Sequence, residues 1–225
     1  MLPFIDIHSH IKAENEEGII RINNLLLHKK LPVGKAFYSA GWHPWFINGY
    51  TINEIHNSLL AIGNNKNVLA IGECGLDRVK STPLEIQKKV FTLHIELALK
   101  NDKPLIVHCV KCYSDLLETL KTKQMPITII HRYSGNIHQL EQMLKYDNVF
   151  FSLGADLFKD NNKLQKILKA IPRQKIFLET DDSHISIEKI YLRASIILNT
   201  HTEVLKQDIF RNFKNIFGNE LVEPH

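Results

Sequence analysis

The sequence predicts an α/β protein: a single-domain (β/α)8 TIM-like barrel over residues 1–225, compact and with shortened early connections. Eight short apolar segments recur along the chain, each followed by polar or glycine-rich residues. Segments with helical spacing separate the later ones, which is typical of parallel strands joined by helices. The length of 225 residues fits one domain of this kind.

The predicted strands are rich in Val, Ile and Phe and almost continuously apolar, as strands buried on both faces are. They cover residues 2–9, 18–26, 35–42, 67–75, 104–110, 127–134, 148–155 and 175–181. The first two connections are too short for full helices, so the barrel is trimmed there. An open doubly wound sheet is the rival fold, but it would normally carry a glycine-rich phosphate loop after the first strand, and this sequence has none.

The predicted helices begin with polar residues and continue with apolar residues three and four apart. They cover residues 82–101, 112–123, 136–146, 162–171, 186–200 and 202–218. The first shows the clearest start signal, with Thr82 as the expected N-cap, Pro83 at the first helical position and Glu85 at the capping-box position.

Composition limits the class of protein. The formal charge of +4 and the pI of about 8.8 suit a phosphate-bearing substrate, but not a protein that coats nucleic acid. The sequence has no apolar run long enough to span a bilayer and no recognisable secretory signal, so we expect no membrane association. Three cysteines argue against a disulfide framework and favour a reducing cytoplasm.

Ionisable residues lie where six of the apolar segments end, and in a parallel barrel those ends meet at one mouth. These residues are Asp6, His8, His10, His43, Glu73, Asp77, His108, His131, Asp181 and Asp182. Histidine and carboxylate ligands without thiolates suit a catalytic Mg, Mn, Zn or Ni ion. Four imidazoles (His8, His10, His108, His131) and two carboxylates (Glu73, Asp181) exceed what one open site needs, which favours two divalent ions and a metal-activated water.

A structural role is the better interpretation for any one of these histidines taken alone. It weakens for the whole set, because burying so many ionisable groups without a metal would cost several kcal/mol each.

The motifs "FIDIHSH", "GWHPW", "AIGECGLD", "VHC", "IIHRYSG" and "FLETD" occur in this order on the predicted strands. Together they resemble the TatD-type metal-dependent deoxyribonuclease family of amidohydrolase-like barrels, from the first strand to about Asp182. The resemblance implies that His8 and His10 hold a first metal with Asp181 nearby, that Glu73 bridges both metals, and that His108 and His131 hold the second. It also implies that His43 faces the substrate phosphate, that Asp181 orients or deprotonates the attacking water, and that Asp6 orients a ligand imidazole.

The sequence departs from the family pattern at positions expected to contact substrate. Lys12 stands where an acidic residue is common, and Val110 where an arginine is usual, with Lys111 and Arg132 as candidate replacements. The stretch after Asp182 also lacks the family's proline-containing loop.

The leading hypothesis is therefore a two-metal phosphodiesterase or deoxyribonuclease that cleaves DNA ends, with single-stranded DNA as its substrate and no obligate protein partner. The altered substrate positions leave a second hypothesis open, a metal-dependent hydrolase of a small amide, lactone or phosphoester.

Other candidate features have simpler interpretations. Cys109 and Cys112 form a CxxC pair that we interpret as packed and reduced. Trp45 and Phe46 are expected at the core or rim, with base stacking as the alternative. The histidines outside the motifs, including His94, are expected at solvated positions.

Overall fold

The computed structural model describes residues 2–10, 16–27, 36–159 and 162–218. Eight parallel strands form one sheet in sequence order, so every predicted strand is present. They are β1 Phe4–Ser9, β2 Ile19–Leu26, β3 Phe37–Gly41, β4 Val68–Asp77, β5 Leu105–Val110, β6 Thr128–Ile130, β7 Val149–Leu153 and β8 Ile176–Leu178.

The first and last strands meet where the predicted motifs end. The Asp181 amide donates to the His8 carbonyl (3.0 Å), and the His10 amide donates to the Asp181 carbonyl (2.8 Å). These bonds accompany a parallel bridge between Ser9 and Asp181, just beyond β8. The sheet is thus a nearly closed barrel rather than an open doubly wound sheet, and its seam carries predicted site residues.

Helices surround the sheet between the later strands, as the apolar spacing predicts. They are α1 Ile52–Gly63, α2 Leu84–Lys100, α3 Tyr113–Thr122, α4 Ile137–Met143, α5 Asn162–Ala170, α6 Ile187–Ile197 and α7 Thr202–Phe217. Strand residues such as Ile5, Ile71, Ile106 and Phe177 are fully buried and join the helix faces in one apolar core. Within the described ranges, no helix combines the length and apolar character needed to cross a bilayer.

Two details of the helix prediction are wrong. Helix α1 was not predicted, although Thr51 and Glu54 form a full capping box at its start. Thr82 does not cap α2: Pro83 is the N-cap, and the Gln87 side chain instead donates to the Thr82 carbonyl at 2.8 Å. Lys12 and most of the two shortened connections lie outside the described residues.

Candidate metal centre

A cavity of about 510 Å³ opens at the carboxyl ends of the strands. Five of the six predicted metal ligands and His43 line it, and the sixth, His8, lies buried against them. They come from β1, β4, β5 and the segments just after β1, β3, β6 and β8. Residues far apart in the chain therefore meet, as expected for a parallel barrel.

The carboxylate of Glu73 lies at the centre of the cluster and is almost fully buried. Its Oε1 atom lies 2.9–3.1 Å from a ring nitrogen of each of three histidines, and Oε2 lies 3.3–3.5 Å from two more. The first three are His43, His108 and His131, and the other two are His8 and His10. Burial opposes ionisation of Glu73, but the charge of His131 and hydrogen bonds from the histidines outweigh it and hold its pKa well below the usual range.

Two glycines let β4 approach β5 closely enough to place Glu73. Gly72 and Gly75 have φ values of 137° and 134°, and a Cβ at either would collide with the carbonyl oxygen of Ile106 or His108. The pairing of β4 with β5 also shifts register between Gly72 and Cys74. The two glycines of the "GECG" stretch thus follow from backbone contacts that exclude a side chain at positions 72 and 75.

Asn24 is a site residue that the sequence reasoning missed. Its amide donates to Glu73 Oε2 at 2.9 Å, and its oxygen accepts from the Glu73 backbone N–H at 3.2 Å. Asn24 is a neutral residue in the second strand, so neither a charge nor an imidazole marks it in the sequence.

His108 is held from behind by Asp77. The Nε2 atom of His108 lies 3.1 Å from Asp77 Oδ2, which leaves Nδ1 toward Glu73 at 3.0 Å. Asp77 also accepts from the Trp45 indole at 2.6 Å and the Val79 amide at 2.7 Å. Burial raises the pKa of Asp77, but these hydrogen bonds, with that of His108 foremost, lower it to about 2.

The adjacent Arg78 does not form an ion pair with Asp77. Arg78 Nη2 instead lies 2.7 Å from Asp115, so Asp77 is free to support His108.

His131 also has a carboxylate behind it, at a longer distance, which the sequence reasoning missed. Its Nδ1 atom lies 3.5 Å from Oε1 of the fully buried Glu179, whose other oxygen accepts from Ser152. Burial lowers the pKa of His131, but Glu73 and Glu179 outweigh it and raise the pKa well above its usual value. A carboxylate behind a histidine is the arrangement that orients metal-ligating imidazoles.

His8 gives the clearest sign that these side chains fit a metal. It is fully buried, yet neither ring nitrogen has a hydrogen-bond partner in the described part of the chain. Its Nε2 atom lies 3.5 Å from Glu73 and 3.9 Å from Asp181. A buried imidazole without partners is costly, and a cation beside these carboxylates would satisfy it.

The ligand atoms group into four overlapping sets, each within 4.8 Å, and four residues occur in two sets: His8, Glu73, His131 and Asp181. The sets are His8–His10–Asp181, His8–Glu73–His131, His43–Glu73–His108 and His131–Glu179–Asp181. The first set contains the three residues that the resemblance assigns to one metal.

The imidazole of His43 differs from those of the predicted metal ligands in that its Nδ1 atom accepts a hydrogen bond from the backbone. Its Nδ1 atom accepts the Trp45 backbone N–H at 3.1 Å, so the proton of the neutral ring belongs on Nε2, beside Glu73. Burial lowers the pKa of His43 despite its carboxylate neighbour.

His94, predicted to be solvated, is fully buried. It accepts the Trp42 amide at 2.9 Å beside the His43 loop. Its other ring nitrogen lies 2.8 Å from the Val90 carbonyl, so both nitrogens are engaged.

The expected role of Asp6 is wrong. Its carboxylate accepts from the Thr180 amide (2.9 Å) and Arg21 Nε (2.9 Å), not from a ligand imidazole. The pairing of β1 shifts register between Asp6 and Ser9, so the two-residue alternation assumed for the strand does not carry across this stretch. Through its hydrogen bond with Thr180, Asp6 therefore stabilises the segment that carries Asp181.

Of the two basic residues considered as replacements at position 110, only Arg132 lines the cavity, beside Val110. Its Nη1 atom lies 2.9 Å from Asp181 Oδ2, and its Nε atom lies 2.9 Å from Asp156. Lys111 is exposed and is not part of the cavity wall.

A parallel barrel with buried imidazoles and carboxylates at the carboxyl ends of its strands is the architecture of a metal-dependent hydrolase. Residues 22–218 match the family model described as TatD related DNase. The chain belongs to this family, as the motifs indicated.

Related sequences agree with this assignment, and a solved structure agrees with the fold. The human "3'-5' RNA nuclease TATDN2" is 32% identical over 178 residues, covering 74% of this chain and 23% of that protein. An uncharacterized metal-dependent hydrolase of Bacillus subtilis, YabD, is 28% identical and matches over 78% of each chain. The crystal structure of the TatD homologue YJJV from Escherichia coli has a TM-score of 0.81 at 19% identity, covering 96% of this chain and 98% of that one.

The match is partial in length for several relatives. It spans 23% of the human protein and 66% and 58% of two other relatives, from Buchnera aphidicola and Enterocytozoon bieneusi.

Proposed function

We propose that this protein is a phosphodiesterase that uses two divalent ions to remove nucleotides from the ends of single-stranded DNA. The observation that carries the proposal is the buried Glu73 carboxylate, whose two oxygens face different imidazoles. A carboxylate shared in this way suits a bridge between two ions. Relatives described as "3'-5' RNA nuclease TATDN2" and "3'-5' ssDNA/RNA exonuclease TatD" support a nucleic-acid substrate.

His8, His10 and Asp181 would hold one ion, His108 and His131 the other, and Glu73 both. Bound Mg, Mn, Zn or Ni would lower the pKa of a water, in the case of Zn to about 7, and neutralise charge that develops on the phosphate. Imidazole and carboxylate ligands accept any of these four metals. Asp77 and Glu179 lie behind the two imidazoles of the second site and would keep their other nitrogens, which face Glu73, directed toward a bound ion.

His43 serves the substrate rather than a metal. Its Nδ1 atom accepts a backbone N–H, so its Nε2–H is a donor and lacks the lone pair that a metal ligand needs. The lowered pKa keeps the ring neutral at pH 7, with this donor in place. We assign His43 to a phosphate oxygen or to the leaving oxygen.

Asp181 orients the attacking water and accepts its proton. Arg132 holds Oδ2, while Oδ1 lies 3.5 Å from His10 on the side of the cluster. The half-exposed Arg132 guanidinium also faces the cavity, where it contacts the substrate phosphate.

We further propose a cytoplasmic setting. All three cysteines are free and buried, which suits a reducing compartment. Burial raises the pKa of Cys109 well above its usual value and that of Cys112 to about 11, so neither is an activated thiol.

The test is cleavage of an end-labelled single-stranded oligonucleotide by the purified protein with Mg²⁺ or Mn²⁺, with and without a chelator. We expect stepwise shortening that the chelator abolishes. Glu73→Gln should lower the rate by at least about 100-fold, whereas Glu141→Gln on the exposed face of α4 should not change it.

Absence of phosphodiester cleavage with every metal would exclude the nuclease. Hydrolysis of a small ester, lactone or amide under the same conditions would then favour the alternative substrate class.

A further inference from the structure

Two aromatic side chains remain exposed in the wall of the catalytic cavity. Trp45 is 44% exposed and Phe46 39% exposed, and both line the same cavity as Glu73 and His131. We infer that Trp45 and Phe46 form a stacking platform for an unpaired base of the substrate, an inference that rests on the proposed phosphodiesterase function.

The platform is held in place by Asp77 and His43, two residues that adjoin the candidate metal ligands. The Trp45 indole N–H donates to Asp77 at 2.6 Å, and its backbone N–H donates to His43 at 3.1 Å. The Phe46 amide donates to the His43 carbonyl at 3.0 Å. A large ring that is exposed but fixed loses little conformational freedom when a ligand stacks on it.

The distance from the platform to the cluster suits one nucleotide. The Trp45 ring centroid lies 4.9 Å from that of His43 and 6.0 Å from that of His108, and Phe46 lies 5.8 Å from His43. A base attached to the phosphate at the cluster therefore reaches these rings. The ammonium of the exposed Lys80 lies over the Trp45 ring, 3.9 Å from its centroid, so a base would stack on the opposite face of the indole or replace this cation–π contact.

The platform explains selection of single strands without selection of sequence. A base within a duplex is paired and stacked and cannot reach Trp45, whereas every unpaired base offers a flat face. The platform thus serves as the specificity determinant, while the imidazoles and carboxylates supply the chemistry.

The test uses two substrates with the same leaving group, the p-nitrophenyl ester of thymidine 5'-phosphate and methyl p-nitrophenyl phosphate. We expect Trp45→Ala and Phe46→Ala to raise KM for the thymidine substrate by about 5- to 100-fold, the range of lost base stacking. For the methyl substrate, Phe46→Ala should leave KM within about 2-fold.

Trp45→Phe separates stacking from support of Asp77, because it keeps a ring but removes the indole N–H. It should retain most of the preference for the thymidine substrate, even if kcat falls for both substrates. The matched control is Phe158→Ala, because Phe158 is an exposed phenylalanine that does not line the cavity.

Equal effects of Trp45→Ala on both substrates, or a Trp45→Phe variant that behaves like Trp45→Ala, would overturn the stacking inference alone. A wild-type protein that cleaves neither ester would overturn the proposed function, and the inference with it.

Discussion

Replacing Asp77 with asparagine keeps the shape of the side chain that supports His108 but removes its charge. Asp77 Oδ2 accepts from both Trp45 and His108, and Oδ1 accepts from Val79. An amide has one oxygen, so in either orientation at least one N–H faces another N–H. The variant therefore cannot hold His108 with its proton on Nε2 as firmly as the carboxylate does.

Two magnitudes can be estimated for Asp77: its contribution to folding stability, from its pKa, and its effect on metal affinity, from its contact with His108. A shift from 3.8 to about 2 corresponds to about 2 kcal/mol of folding stability at pH 7. Because the pKa is lowered in the folded protein, this stability is present above pH 3.8 and is lost as the pH falls toward 2. Loss of a carboxylate behind a ligand histidine weakens metal binding by about 10- to 100-fold.

The assay is competition for Zn²⁺ or Mn²⁺ against a chromophoric chelator, with urea unfolding of the metal-free protein alongside. Asp182→Asn is the matched control, because it removes the same charge from the cavity wall without support of an imidazole. Metal affinity in Asp77→Asn equal to that of the wild type would refute the assigned role of Asp77.

Three further perturbations follow from the same geometry. Burial lowers the pKa of His94 to about 4, so the unfolded chain binds more protons below pH 6.5 and the wild type should lose about 2 kcal/mol of unfolding free energy between pH 7.5 and 5; His94→Gln should lose less in urea titrations. Arg132→Ala, which removes the guanidinium beside Asp181, should raise KM for single-stranded DNA by about 10-fold and make its salt dependence shallower. Gly75→Ala should cost at least about 2 kcal/mol in urea unfolding, since its Cβ would collide with the His108 carbonyl.

Each of these has an outcome that contradicts it. The same pH dependence in wild type and His94→Gln would exclude His94 as the titrating group. If KM and its salt dependence are unchanged in Arg132→Ala, Arg132 does not contact the substrate phosphate. Gly49→Ala is the control for Gly75, because its φ of 88° is also left-handed but no atom lies within 4 Å of the added Cβ; equal losses in the two would show that a clash is not the cause.

The sequence predicted the barrel, and the meeting of the six candidate ligands, from two features of buried parallel strands. Strands buried on both faces are continuously apolar, so a histidine or carboxylate at the end of one stands out, as at His108 and His131. Parallel strands in sequence order bring such ends together regardless of their separation along the chain. The convergence of the six predicted ligands follows from these two facts alone.

The supporting residues depend on register and loop paths that the apolar pattern does not record. Asp6 contacts Thr180 where the pairing of β1 shifts register. Asp77 contacts His108 rather than Arg78. Glu179 could have been predicted from the sequence as a site residue, because it lies two residues before Asp181 in the same motif. Asn24 carried no charge and no imidazole, so only the packed structure identifies it beside the bridging carboxylate.

The most direct test of the two-metal centre is the number of divalent ions bound per chain, measured by elemental analysis after metal loading and removal of free ions. We predict close to two in the wild type and a clear loss in Glu73→Ala, because Glu73 is the ligand assigned to both ions. A wild-type protein without bound metal, or a Glu73→Ala variant with the same content, would contradict the account.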